Sequence, residues 1–316
     1  MSELIENAEI VINSFSENML DQFIAYADVS EITMTTYKRN LKQFFKWLSD
    51  NAIINPTRQD ILNYKKALQD RVKPTTAQNY LVAVKIFFKF TANAGLYPNI
   101  AENIKGINID KTHKKDTLTT EQAKDVINTA KKSNDINSIR NHAILSLMIT
   151  CGLRVSELIS ANIGDIRTLN NKTVLYIKGK GQTDKTQFVV LPYETEKAIR
   201  NYLNMRDNQD NKQGLFLSHG NKSNGNRLSA RTVRHIAKQS MRDVGLDSER
   251  LSTHSLRHTA ITLSLINNAS LQETQQFARH SNINTTLIYS HNLERSNNRC
   301  SQLIANSIFN QKYANV

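Results

Sequence analysis

Two domains, mostly helical and with a single small antiparallel sheet, are what the sequence predicts. Three observations carry this expectation. The chain's 316 residues exceed the usual size of one hydrophobic core. Apolar residues recur at three- and four-residue spacing along most of its length, the period of an amphipathic helix. One stretch, Val174 to Leu191, changes to a β-rich pattern. The basic, aperiodic segment 109–117, with Lys111, Lys114 and Lys115, reads as a linker. It separates a helical domain, 1–108, from a mixed α/β domain, 118–316, mainly helical.

Each element has a local reason. Ser14 with Glu17 forms a capping box that opens a helix through Leu20, Phe23 and Ile24. Met34, Tyr37, Leu41, Phe44, Phe45 and Leu48 predict a second helix over 33–50. Its other faces carry Lys38, Arg39, Lys42 and Lys46. A third helix follows Pro56 over 57–71. The fourth starts near Pro74 and buries Tyr80, Leu81, Val84, Phe87 and Phe88, leaving Lys85 and Lys89 outside the stripe. In the second domain Thr119 and Gln122 cap a helix into Ala130, and 138–151 is strongly apolar. The runs 174–178 and 186–191 predict a hairpin whose tip holds Gly179-Lys180-Gly181. Helical patterns return at about 193–206, 229–244, 254–268, 270–279 and 295–309.

Composition narrows the function. Lys and Arg number 41 against 28 Asp and Glu, for a net charge of +13. The first 35 residues carry seven acids and no Lys or Arg, so all the positive charge lies downstream. A polyanion is the natural partner for such a surface, although solvated basic helix faces explain the charge equally well. Two cysteines, Cys151 and Cys300, cannot build a disulfide framework or a four-thiolate zinc site, and they suit a reducing compartment. No apolar run approaches the ~20 residues of a membrane span, and the N-terminus is acidic where a signal peptide is basic. The expectation is a cytoplasmic protein with no membrane attachment.

Chemistry-bearing residues gather in the second domain: Arg154, Lys180, His254, Arg257, His280 and Tyr289. His254 and Arg257 are three apart and share a helix face; His254 and His258 are four apart, as a metal pair could be. No His-Glu-x-x-His, short-spaced Cys pair or nearby acidic third ligand completes a zinc set, so no metal is expected. Phosphate binding fits better, because guanidiniums grip non-bridging oxygens bidentately and imidazoles donate or take up protons.

These residues occur in motifs. Gly152-Leu153-Arg154-Val155-Ser156-Glu157-Leu158, Gly179-Lys180-Gly181, His254-x-Leu256-Arg257-His258-Thr259, and His280 followed by Thr285-Thr286 and Tyr289-x-His291 resemble, in order, the boxes of the tyrosine recombinase, or phage-integrase, family. The helical first domain resembles that family's SAM-like core-binding module, and the simple Xer-type members are the nearest in outline. Ala278-Arg279 stands where the family usually carries Leu-Gly, which puts a non-glycine residue at a left-handed helix end. Asn268 replaces another common glycine.

The resemblance implies a C-shaped clamp on duplex DNA and site-specific recombination through a 3′-phosphotyrosyl link, with no cofactor, metal or ATP. Tyr289 is the implied nucleophile. Arg154, Arg257, His254 and His280 would stabilise the reacting phosphate, and Lys180 would protonate the leaving 5′-oxygen. Glu157, expected on the same helix as Arg154, is to orient that box from behind, and Asp165 and His258 are expected to give similar support. Candidate DNA contacts are Lys38, Arg39, Lys42, Lys46, Lys85, Lys89, Arg231, Arg234 and Arg279. Implied partners are double-stranded DNA with inverted half-sites and a homo-tetramer exchanging C-terminal helices, or a hetero-tetramer with a related recombinase. The chain's role could be chromosome-dimer resolution, mobile-element integration or DNA inversion. The rival readings are a relaxing enzyme of type IB topoisomerase-like chemistry and a catalytically silent DNA-binding protein.

Overall fold

The computed structural model describes residues 17–109, 116–179, 181–182, 184–207, 210–220, 224–296 and 298–309, the side chains of 17–21 and 296 excepted. Ser14, most of the expected linker (110–115) and Lys180 fall outside these residues. Two units, Met1–Lys111 and Thr112–Val316, each enclose a hydrophobic core.

The first unit is built of α1 (Glu17–Ala27), α2 (Glu31–Asp50), α3 (Arg58–Arg71) and α4 (Pro74–Asn93). Thr57 caps α3, its backbone N–H and hydroxyl both donating to Asp60 Oδ2 at 2.7 Å. Pro74 opens α4, where the missing N–H costs nothing. Leu41, Phe44 and Leu48 of α2 meet Ile61, Tyr64 and Leu68 of α3 and Leu81, Val84, Phe87 and Phe88 of α4. Edge-on ring pairs such as Phe44–Tyr64 and Phe45–Phe87 knit this core. Arg39, Lys42, Lys46 and Lys89 are exposed. Lys85 is not, because its ammonium donates to the Ile104 carbonyl at 2.8 Å and ties α4 to the segment beyond it.

In the second unit the order is α5 (Thr120–Thr129), α6 (Ile136–Thr150), α7 (Val155–Ser160), a 3-10 turn, β1 (Ile166–Leu169), β2 (Lys172–Ile177), β3 (Gln187–Val190), α8 (Tyr193–Asn204), α9 (Ala230–Arg242), α10 (Thr253–Ile266), α11 (Leu271–Ala278), α12 (Asn284–Ser296) and α13 (Cys300–Phe309). The expected hairpin is present, Val174 pairing with Val190 and Leu175 with Val189. β1 adds a third antiparallel strand against β2. α6, wholly buried along Ala143–Ile149, is the spine of the core, packing among Val126, Leu175, Ile199, Val233 and Leu256.

Three expectations need correction. Arg154 is not inside a helix with Glu157; it is the extended residue just before α7, at φ −76° and ψ 151°. The tail is not one helix from 295 onward, since Arg295 lies in the last turn of α12, which ends at Ser296, and a separate helix, α13, starts at Cys300. α12 itself carries Tyr289 and was not expected as a helix. Leu303, Ile304, Ile308 and Phe309 of α13 are each more than half exposed and pack on no described core. No described helix is long and apolar enough to cross a membrane.

Candidate active site

The site starts at a glycine. Gly152, directly after α6, turns the chain at φ +58°, and a Cβ there would press against the Phe277 ring at 3.2 Å. The turn exposes the Gly152 carbonyl to two guanidiniums and brings Arg154 to the N-terminus of α7. Arg154 N–H and Nη1 donate to the two oxygens of Glu157, at 2.8 and 2.6 Å. Glu157, 1% exposed, therefore holds Arg154 in place by both main chain and side chain.

Arg257 lies on α10, buried. Its Nη1 donates to the Gly152 carbonyl and its Nη2 to the Ala278 carbonyl, so α10 grips both the α7 approach and the end of α11. Burial, and then the charges of Arg154 and Arg279, bring its pKa down to about 10, which leaves it cationic at neutral pH.

α11 ends at Arg279 in the left-handed conformation, φ 54° and ψ 46°. His280 follows. Its backbone N–H donates to Gln275 O at 3.1 Å and its carbonyl accepts from Gln275 Nε2 at 3.0 Å. Its Nδ1 is 2.9 Å from the buried Thr286 hydroxyl. Tyr289, one turn along α12 from Thr286, is 6% exposed among Ile261 and Ala278. Its ring stacks on His280 at a centroid distance of 6.4 Å. The phenol oxygen is hydrogen-bonded to His258 Nδ1. Burial pushes the Tyr289 pKa up to about 12, against the pull of Arg257 and Arg154.

Arg154, Arg279, His280 and Gln275 line one wall of a cleft of about 820 Å³, and Gln182 and Thr186 from the β2–β3 loop line another. Three guanidiniums around Glu157 make it electropositive, a setting that stabilises a phosphoryl group gathering negative charge.

Arg154, Arg257, His280 and Tyr289 are thus brought together, with Glu157 and His258 in direct support. His254 is on the first turn of α10 and exposed. Lys180, on the β2–β3 loop, is outside the described residues. Two placements correct expectations. Asp165 does not orient Arg154; it accepts from Asn162 N–H at 2.6 Å and pairs with Lys185, anchoring the foot of the β2–β3 loop. Arg279 is not a surface residue reaching for DNA, because its side chain is 5% exposed and pairs with Glu157. Arg231 and Arg234 are exposed on α9.

Sequence reasoning missed Thr286 and Gln275 as the groups that fix His280, and Lys185 as the loop anchor. Thr286 carried a signal, since a hydroxyl six residues after a histidine can reach back to it when a helix starts between them. His258 was read as a supporting residue and as half of an incomplete metal pair, whereas it touches the phenol itself.

Residues 116–295 match the model of the phage integrase family, and residues 20–95 that of the phage integrase N-terminal SAM-like domain. Tyrosine recombinase XerC of Caldanaerobacter subterraneus subsp. tengcongensis is 36% identical over 177 residues, 55% of this chain and 46% of that protein. The chain thus spans about half the length of that relative. Tyrosine recombinase XerA of Pyrococcus furiosus is 31% identical over 273 residues, 86% of this chain and 88% of that protein. Among solved structures, XerH site-specific recombinase bound to palindromic difH substrate in a post-cleavage complex superposes with a TM-score of 0.73 at 22% identity, over 92% of this chain and 86% of that one. That likeness is one of fold.

Proposed function

The chain belongs to the phage integrase family, and from that premise we propose that it is a site-specific tyrosine recombinase of the Xer kind, cutting and rejoining duplex DNA. One observation supports this above the rest: a buried tyrosine on α12 lies against two histidines and within the field of Arg257 and Arg154. A phenol is a poor nucleophile at neutral pH and needs such surroundings.

In this reading Tyr289 Oη attacks the scissile phosphorus. Arg154 and Arg257 hold the non-bridging oxygens, with His280 and His254 donating to the same group. Lys180 on the β2–β3 loop protonates the departing 5′-oxygen. The link to tyrosine keeps the phosphodiester energy, so rejoining needs no ATP, and the guanidiniums supply the positive charge that a metal supplies in other phosphoryl-transfer sites. Residues 1–108 act as a helical DNA-binding domain joined by the linker 109–117 to a catalytic domain, 118–316. Lys38, Arg39, Lys42, Lys46 and Lys89, with Arg231 and Arg234 of α9, contact backbone phosphates. The active assembly is a tetramer on inverted half-sites. The exposed stripe of α13 docks in a neighbour's groove lined by Leu265, Ile266, Leu271 and Leu293.

The test is a nicked suicide duplex carrying the inverted repeat selected by this chain from random-sequence DNA. The wild type should become covalently attached to the 3′ end, with the adduct mapping to Tyr289 by mass spectrometry. Tyr289→Phe should bind the duplex and form no adduct. An adduct that persists in Tyr289→Phe would refute the assignment.

A further inference from the structure

As Tyr289 Oη bonds to phosphorus it must lose its proton, and the arginines around it have no lone pair to accept one. With a phenol pKa near 12, only about one molecule in 10⁵ would hold the tyrosinate at pH 7. The proton therefore has to leave during the attack, to a base already in contact with the oxygen. The structure places one there: His258 Nδ1, hydrogen-bonded to Tyr289 Oη, its ring centroid 5.4 Å from the tyrosine ring. The other imidazoles are placed differently. The His280 ring is nearly parallel to that of Tyr289, with centroids 6.4 Å apart, and has its Nδ1 on the Thr286 hydroxyl. His254, one turn earlier on α10, is exposed.

We infer that His258 is the catalytic base for Tyr289, taking the phenolic proton on Nδ1 as strand cleavage occurs and returning it on rejoining. This rests on the recombinase reading above and adds to it. In the forward step the Oη–phosphorus bond forms, the phosphorus–O5′ bond breaks, the Oη proton passes to Nδ1, and the leaving 5′-oxygen takes a proton from the acid opposite. In the reverse step the 5′-hydroxyl attacks phosphorus and His258, now an imidazolium, gives its proton back to Oη. Before cleavage the ring must be neutral with its proton on Nε2, so that Nδ1 accepts from the phenol. Arg257 on α10, Arg154 before α7 and Arg279 and His280 beyond α11 face this region, with Glu157 among them. The imidazolium so formed sits beside the cluster that binds the phosphate dianion-like transition state, and its charge adds to theirs.

His258 is separated from His254 by one helical turn, and the turn decides which of them reaches the nucleophile. His258 is half-buried near the middle of α10.

The experiment measures the single-turnover rate of covalent attachment for wild type, His258→Ala and His258→Gln on two nicked duplexes of the selected site, one with a normal phosphodiester and one with a 5′-bridging phosphorothiolate. Sulfur leaves without protonation, so the second substrate restores a variant lacking the leaving-group acid but not one lacking the base on tyrosine. Both His258 variants should attach at least about 100-fold more slowly on either substrate, while retaining band-shift affinity and a cooperative melting transition. Gln can accept the phenol's hydrogen bond but cannot keep its proton, so a rate near wild type for His258→Gln would show that His258 only orients Tyr289 and would overturn the inference. So would an unchanged or faster rate for His258→Ala, or its rescue by the phosphorothiolate. If wild-type protein itself forms no Tyr289 adduct, the recombinase reading fails instead.

Discussion

Arg279 and Glu157 form a buried ion pair, Nη2 to Oε2 at 2.9 Å, with side chains 5% and 1% exposed. It joins the end of α11 to the start of α7 across 122 positions of sequence. Arg279 also donates to the carbonyls of Phe277 and Gly152, at 2.8 and 3.1 Å. Its left-handed backbone costs about 1–2 kcal/mol relative to glycine, whereas removing one partner of a buried pair costs about 3–5 kcal/mol.

Arg279→Gly should therefore lower stability, by about 2 kcal/mol, despite relieving the backbone. Chemical denaturation of the two proteins measures this. A glycine variant more stable than the parent would mean that backbone strain outweighs the pair.

Arg154→Ala and Arg257→Ala should differ in kind. Arg154 is a quarter exposed and its partner Glu157 keeps Arg279, so its loss should slow covalent attachment about 100- to 1000-fold with a stability change under about 1 kcal/mol. Arg257→Ala removes the donor to the buried Ala278 carbonyl and one of the two donors to the Gly152 carbonyl, which keeps Arg279. It should cost stability as well, by about 2–4 kcal/mol. Equal melting temperatures for the two variants would contradict the difference.

The helical periods of α2, α4 and α6 were legible because each buries a long apolar stripe, and the hairpin because β-branched residues flank glycines. β1 was not, since Ile166-Arg-Thr-Leu is short and half exposed. α12 was hidden for a related reason: Asn284-Thr-Thr-Leu-Ile-Tyr-Ser-His mixes β-branched and polar residues and buries little except Thr286 and Tyr289. It is held by tertiary contacts that no local period records. The site's residue types could be read from spacing along α10. Their partners could not, because Gly152 to Arg257 and Glu157 to Arg279 are contacts over more than 100 residues. Arg279 shows the limit best. On sequence it was one more cation for DNA; the fold turns it inward.

The folded pKa of Tyr289, about 12, lies above the ordinary 10 of a phenol. The unfolded chain therefore gives up this proton first, so the stabilisation is complete below pH 10 and is lost as pH rises through 12. By about pH 11.5 the wild type should have lost about 2 kcal/mol more than Tyr289→Phe, measured as urea stability relative to pH 9. Burial raises Tyr64 too, but that residue is common to both proteins and cancels. Parallel losses would show that the Tyr289 phenol titrates as if in water.

Deleting residues 300–316 should leave binding to a half-site unchanged and abolish cooperative pairing on the full site, because the apolar stripe of α13 packs on no described core of its own subunit. Each aliphatic or aromatic side chain buried in a neighbour would contribute about 1.5–3 kcal/mol. Band shifts on half- and full-site duplexes measure both quantities. Undiminished cooperativity would place the assembly contacts elsewhere.

The two cysteines are chemically unequal, and that difference supplies a probe. Cys151, at the end of α6, is buried and its thiol is pushed up to about 11, while Cys300 is exposed at the start of α13. A maleimide dye at neutral pH reacts with thiolate, and so should label Cys300 alone without any engineered substitution. The chain thus carries a native attachment point on its own assembly helix, where a change in fluorescence anisotropy would report the moment that helix finds a groove.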